Sequence, residues 1–170
     1  MDGISIAVKN DVAALNFLIN SAYRGDSAKQ GWTHEAELLD GTRINETELY
    51  NLLERENTFI LKYMEAHEIC ACVLLEKKVN KLYIGMLTVA PGLQGHGIGK
   101  KLLKSAEEKA REMNCSCTEI TVIDARHELI GWYERHGYGD TGTRIPFDAD
   151  MQKRAISTRP LQFIVMEKIL

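Results

Sequence analysis

The sequence predicts an α/β fold, an α+β mixed and mostly antiparallel sheet flanked by helices, in a single domain spanning residues 1–170. Three observations carry that prediction. Short runs with strand-like alternation come in series, from Thr58 to Met64, Ile69 to Leu75 and Leu82 to Val89. Amphipathic helical patterns stand before and after them, which gives the mixed class rather than an all-β one. The third is the stretch Leu82 to Leu103, which reads as one buried strand, a tight glycine loop and the opening turns of a helix.

Taken in order, Ile4 to Val8 alternates and reads as a first strand. Asn10-Asp11 offers an N-cap, and Val12, Leu15, Phe17, Leu18 and Ile19 then fall at helical spacing up to Tyr23, with Gly25 as the stop. Asp26 to Arg43 reads as a loop long enough to be a lid or binding loop, or to hide a short helix. A second helix is expected from Asn45 to Arg55, because Asn45 and Glu48 have capping-box spacing. Glu65-Ala66-His67-Glu68 is a polar hairpin turn, and Lys77 to Asn80 turns the chain into the central strand, which Pro91-Gly92 ends.

The next helix places Ile98, Leu102, Leu103, Ala106, Ala110 and Met113 on one face. Thr118 to Ile123 is a strand and Arg126 to His136 a helix stopped by Gly137. A glycine-rich strand from Tyr138 to Ile145, a polar loop from Asp148 to Arg159 and a last strand from Leu161 to Ile169 complete the order.

A net charge of −3 gives no field that would draw nucleic acid or an anionic membrane. No apolar run approaches the roughly 20 residues that span a bilayer, and Met1-Asp2-Gly3-Ile4-Ser5 has no basic segment followed by an apolar one. The expected compartment is the cytoplasm and the expected state monomer or homodimer. The four cysteines form two Cys-x-Cys pairs, Cys70/Cys72 and Cys115/Cys117. Zinc sites space their ligands further apart, so these read as small reduced hydrophobes and no metal is expected.

The glycine loop points to a phosphate-bearing ligand. Gly95, Gly97 and Gly99 let backbone N–H groups approach an anion, and the helix that follows turns its positive end the same way. A P-loop is excluded, since Ile98 stands where its lysine belongs. A dinucleotide fingerprint needs Gly-x-Gly-x-x-Gly, and here the third glycine comes one residue early.

Gln94-Gly95-His96-Gly97-Ile98-Gly99 instead resembles the Gln/Arg-x-x-Gly-x-Gly/Ala loop of the GNAT superfamily of acyl-CoA N-acyltransferases. Leu87-Thr88-Val89-Ala90-Pro91 is similar to the strand that leads into that loop. Trp132 to Tyr138 is similar to the family's Leu-Tyr-x-x-x-Gly-Phe signature. The resemblance implies a GNAT-like fold and transfer of an acetyl group from acetyl-CoA, without a metal, to a primary amine. A small-molecule acceptor is favoured. A protein lysine or N-terminal acceptor, or a CoA-binding sensor without turnover, are the alternatives.

It further implies that the backbone of Leu87, Thr88 and Val89 pairs with the pantetheine arm. Gln94, Gly95, His96, Gly97, Ile98, Gly99 and Lys100 would surround the pyrophosphate, with no chemistry given to the His96 ring. Arg126 stands where the family often carries an asparagine that contacts pantetheine. Tyr133 is the implied general acid, since a phenol can protonate a departing thiolate. The central strand lacks the carboxylate that often serves as general base, which leaves Glu35, Glu37 and Asp124 as candidates, or water as the carrier of the proton.

Overall fold

The computed structural model describes residues 3–170; Met1-Asp2, read above for targeting, lie outside the described residues. Seven strands form one sheet in the order β1-β2-β3-β4-β5-β7-β6. They are β1 (Gly3–Ile6), β2 (Thr58–Glu65), β3 (Glu68–Lys77), β4 (Lys81–Val89), β5 (Cys117–Ile123), β6 (Gly139–Pro146) and β7 (Gln162–Ile169). Every neighbouring pair is antiparallel except β4 and β5. The helices are α1 (Val12–Tyr23), α2 (Gly25–Ala28), α3 (Glu46–Glu54), α4 (Ile98–Glu112), α5 (His127–Arg135) and α6 (Ala149–Arg154).

Helices cover both faces of the sheet. On one face Leu102, Leu103, Ala106 and Ala110 of α4 pack with Val73, Leu82, Ile84, Ile120 and Met166. On the other, Leu15, Leu18 and Ile19 of α1 and Leu49 of α3 pack with Ile60, Cys72, Leu74 and Met86. Helix α3 begins as its spacing predicts: Glu48 N–H donates to Asn45 Oδ1 and Asn45 N–H to Glu48 Oε2, both at 2.9 Å. The β2–β3 turn is tighter than its four polar letters imply. Glu65 pairs with Glu68, and Ala66 and His67 alone make the bend, at φ 50° and 67°.

Some local readings are corrected. Phe17, counted with the apolar face of α1, is 77% exposed. Asp11 accepts from Val8 N–H (2.7 Å) in a 3-10 turn, Lys9–Asp11, rather than capping α1. Within the polar stretch read as loop, Asp148 Oδ1 accepts from Met151 N–H (2.8 Å) and starts α6. Main-chain bonds from Asp40 N to Arg154 O and from Ile156 N to Leu38 O, both 2.9 Å, then tie this segment to the long α2–α3 connection. The lid reading for that connection gives way to a short helix and a pinned loop.

The pairing that matters for the site ends early. Strands β4 and β5 are in register only at Lys81 with Cys117, Leu82 with Thr118 and Tyr83 with Glu119. Beyond Tyr83 they separate, and a 3.0 Å hydrogen bond between the Tyr83 and Thr121 hydroxyls bridges the start of the fork. A bulge in β4 accompanies the split. Cys72 pairs with Thr88 and Leu74 with Gly85, so Val73 alone faces both Met86 and Leu87. Met86 takes φ 47° there, and the Thr88 hydroxyl donates to its carbonyl at 2.7 Å.

Burial pushes Cys72 and Tyr23 up to about 12, and burial also raises Tyr133 and Tyr138. In the unfolded chain these groups ionise near their ordinary values, 9.0 for the thiol and 10.0 for the phenols. At high pH the unfolded chain therefore binds fewer protons than the folded one, and stability falls as pH rises. The urea midpoint is expected to hold to about pH 9 and to drop steadily between about pH 10 and 12. Equal midpoints at both ends of that window would refute the assignment.

Candidate functional site

A cavity of about 580 Å³ opens in the fork between β4 and β5. One wall is the released edge of β4, Leu87, Thr88 and Val89. The loop and first turn of α4 supply Gln94, Gly95, Gly97, Ile98, Gly99 and Lys100. Helix α5 and its approach supply Arg126, Leu129, Trp132, Tyr133 and His136, and Tyr23, Trp32 and Thr33 close the remaining side.

The loop has the form an anion cradle needs. Gly95 and Gly97 take φ 83° and 82°, and a Cβ at either would meet open space rather than protein. Gly97 caps α4 without a side-chain bond. The first intrahelical contact is Lys101 N–H to Gly97 O at 3.1 Å, so the N–H groups of Ile98, Gly99 and Lys100 precede the helix's own hydrogen bonds. Gln94 turns inward: Nε2 donates to the Val89 carbonyl (3.2 Å), and Oε1 is buried with no hydrogen-bond partner among the described residues. Its packing requires Gly31, where a Cβ would come within 2.4 Å of that Oε1.

His96 belongs to the loop but does not line the cavity. Its ring is exposed, with Nδ1 near the carbonyls of Leu93 (3.2 Å) and Gln94 (3.1 Å). Tyr133 is 6% exposed, with Trp132 and Tyr138 edge-on at 5.0 and 5.5 Å between ring centroids. Its hydroxyl makes no hydrogen bond to any described residue. Burial first, then the neighbouring Tyr23, raise its pKa, and the group stays a protonated donor across the physiological range.

None of the three carboxylates considered as bases lines the cavity. Glu35 is buried, but Arg24 Nη2 donates to its Oε2 (3.0 Å) and Arg126 Nη1 to its Oε1 (3.3 Å). Glu37 is exposed, and Asp124 is paired with Arg159 at 3.1 Å. Glu35 is instead a clasp between the α2–α3 connection and the start of α5. Through it Arg126 is fixed at the cavity wall, with a further 2.6 Å bond from Nη2 to the Thr33 hydroxyl.

Replacing Glu35 by Gln leaves two buried guanidinium groups facing a neutral amide. That substitution is expected to cost about 3 kcal/mol of stability, read as a lowered urea midpoint. A variant as stable as the parent, with a displaced pH–rate profile, would make Glu35 a base after all.

Sequence reasoning did not single out Tyr23 as a site residue. Its hydroxyl donates to the Leu87 carbonyl (3.1 Å), and Arg43 and Arg126 lie 5.5 and 5.8 Å from its ring centre. The only sequence signal was position, as the last aromatic of α1 ahead of an arginine-bearing loop.

A forked sheet with a bulged central strand, and an N–H cradle at the fork, defines a fold built to hold an extended ligand with an anionic end. The chain belongs to the Acetyltransferase (GNAT) family, whose model matches residues 12–138. An acetyltransferase of Agrobacterium fabrum is 34% identical over 68 residues, 40% of this chain and 48% of that protein. The chain thus spans about half the length of that curated relative.

Among solved structures, the ribosomal-protein-S18-alanine N-acetyltransferase of Escherichia coli superimposes with a TM-score of 0.73 at 14% identity, covering 99% of this chain and 94% of its own. The yncA protein of Salmonella typhimurium, solved with its cofactor acetyl-CoA, gives 0.72 at 18% identity, covering 100% and 94%. At these identities the likeness is one of fold. Among the described residues, no helix is long and apolar enough to cross a membrane.

Proposed function

We propose that this protein transfers the acetyl group of acetyl-CoA to a primary amine by direct attack in a ternary complex, with a small molecule as acceptor. The observation that carries the reading is a convergence. The free edge of β4, the α4 turn with its unbonded N–H groups and Tyr133 with its unbonded hydroxyl all belong to the lining of one cavity of about 580 Å³.

In this reading the pyrophosphate rests on the N–H groups from Gly95 to Lys100, where the helix dipole adds to the hydrogen bonds. The pantetheine arm lies along Leu87 to Val89 as an added strand. The Leu87 and Val89 carbonyls already accept bonds from Tyr23 and Gln94, and each keeps a second lone pair for an amide N–H. Backbone N–H at the bulge meets the oxygen that gains charge when the amine adds to the thioester carbonyl. The C–N bond forms, the C–S bond breaks, and Tyr133 gives its proton to sulfur. The proton shed by the amine returns through water, so the phenol is restored.

The absence of a carboxylate in the cavity wall is compatible with this chemistry. The proton that the amine sheds passes to water, so the step needs no carboxylate beside the thioester. The direct test is acetyl-CoA-dependent release of free thiol across polyamines, amino acids, aminoglycosides and peptides. Thiol release with a small amine supports the reading, and release with peptides alone would move the acceptor to a protein. Failure to bind acetyl-CoA in calorimetry would sink it.

A further inference from the structure

A second hollow, about 300 Å³, lies on the opposite face of β4 from α4, between that strand and α3. Ile44, Leu52, Leu74 and Met86 give it apolar walls, and Tyr83 and Gly85 belong to its β4 side. A Cβ at Gly85 would come within 2.8 Å of the Tyr83 ring, so the glycine lets that ring lie close against the strand.

Its charges are unbalanced. Arg43 and Arg55 line it, and among the described residues neither forms an ion pair. The one carboxylate in the wall, Glu48, is already committed to the Asn45 N–H at the start of α3. Arg43 marks the end nearer the bulge: it stacks on Tyr23, whose hydroxyl holds the Leu87 carbonyl. Arg55 follows α3, three residues before Thr58, and marks the end near Tyr83, since Thr58 pairs with Glu76 and Glu76 with Tyr83.

We infer that this hollow is the acceptor pocket, and that it selects an amine which also carries a carboxylate on an apolar body of amino-acid size. This rests on the acetyl-transfer reading above. The carboxylate answers the unpaired guanidinium of Arg43 at the bulge end, since an Arg–carboxylate contact is strong where water is partly excluded. The apolar body fits between Leu52 and Met86. The bulge is the thin point of the wall, because Met86 lines this hollow while Leu87 lines the cavity. In this inference the acceptor's amine points to that end, toward the proposed thioester position.

The test compares matched acceptors, L-phenylalanine with phenethylamine and with L-phenylalaninamide, in thiol release by the full chain. Phenylalanine is expected to exceed both in kcat/KM by about tenfold or more. Arg43→Gln should raise KM for phenylalanine and leave kcat and acetyl-CoA affinity near the parent's. The variant should also erase part of the preference over the amide. Equal or better turnover of the uncharged partners would overturn the inference.

Calorimetry on the CoA-saturated protein, with N-acetyl-L-phenylalanine and its amide as probes, separates the two readings. Tighter binding of the carboxylate form, lost in Arg43→Gln, supports the pocket even if no thiol is released. Equal binding of both forms refutes the pocket even if other amines are acetylated.

Discussion

Tyr133→Phe is expected to lower kcat by about 100-fold or more while acetyl-CoA affinity stays near the parent's. The substitution removes one atom and little else. The hydroxyl has no hydrogen bond to any described residue, so its loss strands no partner. The ring contacts with Trp132 and Tyr138 are kept by phenylalanine. What is lost is the donor that meets charge developing on sulfur, an interaction made only in the transition state, and such a loss appears in kcat and kcat/KM alike. Because burial raises the Tyr133 pKa, the parent's rate should not fall off through ionisation of this phenol near its ordinary value of 10.0. Single-turnover kinetics with a saturating amine give the decisive number. A variant that loses acetyl-CoA binding and rate in equal measure would show that Tyr133 is a packing residue.

The contrast between Tyr133 and the acid-base partner it lacks shows which parts of this molecule were readable from its letters. Local signals came through. The Asn45–Glu48 capping box, the glycine spacing from 95 to 99 and the helix that carries Tyr133 are each fixed by residues within a few positions of one another. The bulge did not come through, because Met86 at φ 47° has no composition signal; only the opposing strand, with Val73 facing two residues, reveals it. The partners of Glu35 were hidden for a related reason. A carboxylate in a loop is accessible or spent according to what lies across from it, and Arg126 is 91 positions away in sequence. Residues 149–154 were missed as a helix because a single turn and a half carries too few apolar positions to show a period. Tertiary pairing of Leu39 with Ala155 holds that segment in place instead.

The glycine loop allows a prediction that separates backbone from ligand. Gly97→Val is expected to weaken acetyl-CoA binding by about 100-fold or more, the equivalent of losing two charge-assisted hydrogen bonds to the pyrophosphate. Two effects contribute. A β-branched residue is strained at φ 82°, and relief of that strain re-aims the first N–H groups of α4. A side chain there also projects into space that is open in the protein and that the phosphates would fill. Gly97→Asn distinguishes them, since asparagine accepts the left-handed conformation while still adding bulk. If occlusion dominates, the asparagine variant loses most of the affinity; if conformation dominates, it binds nearly as the parent does. S-acetylpantetheine, which lacks the pyrophosphate, provides the control for placement. The parent should prefer acetyl-CoA over it, and Gly97→Val should erase that preference without weakening the truncated thioester. Equal loss for both ligands would mean that the loop does not hold the pyrophosphate.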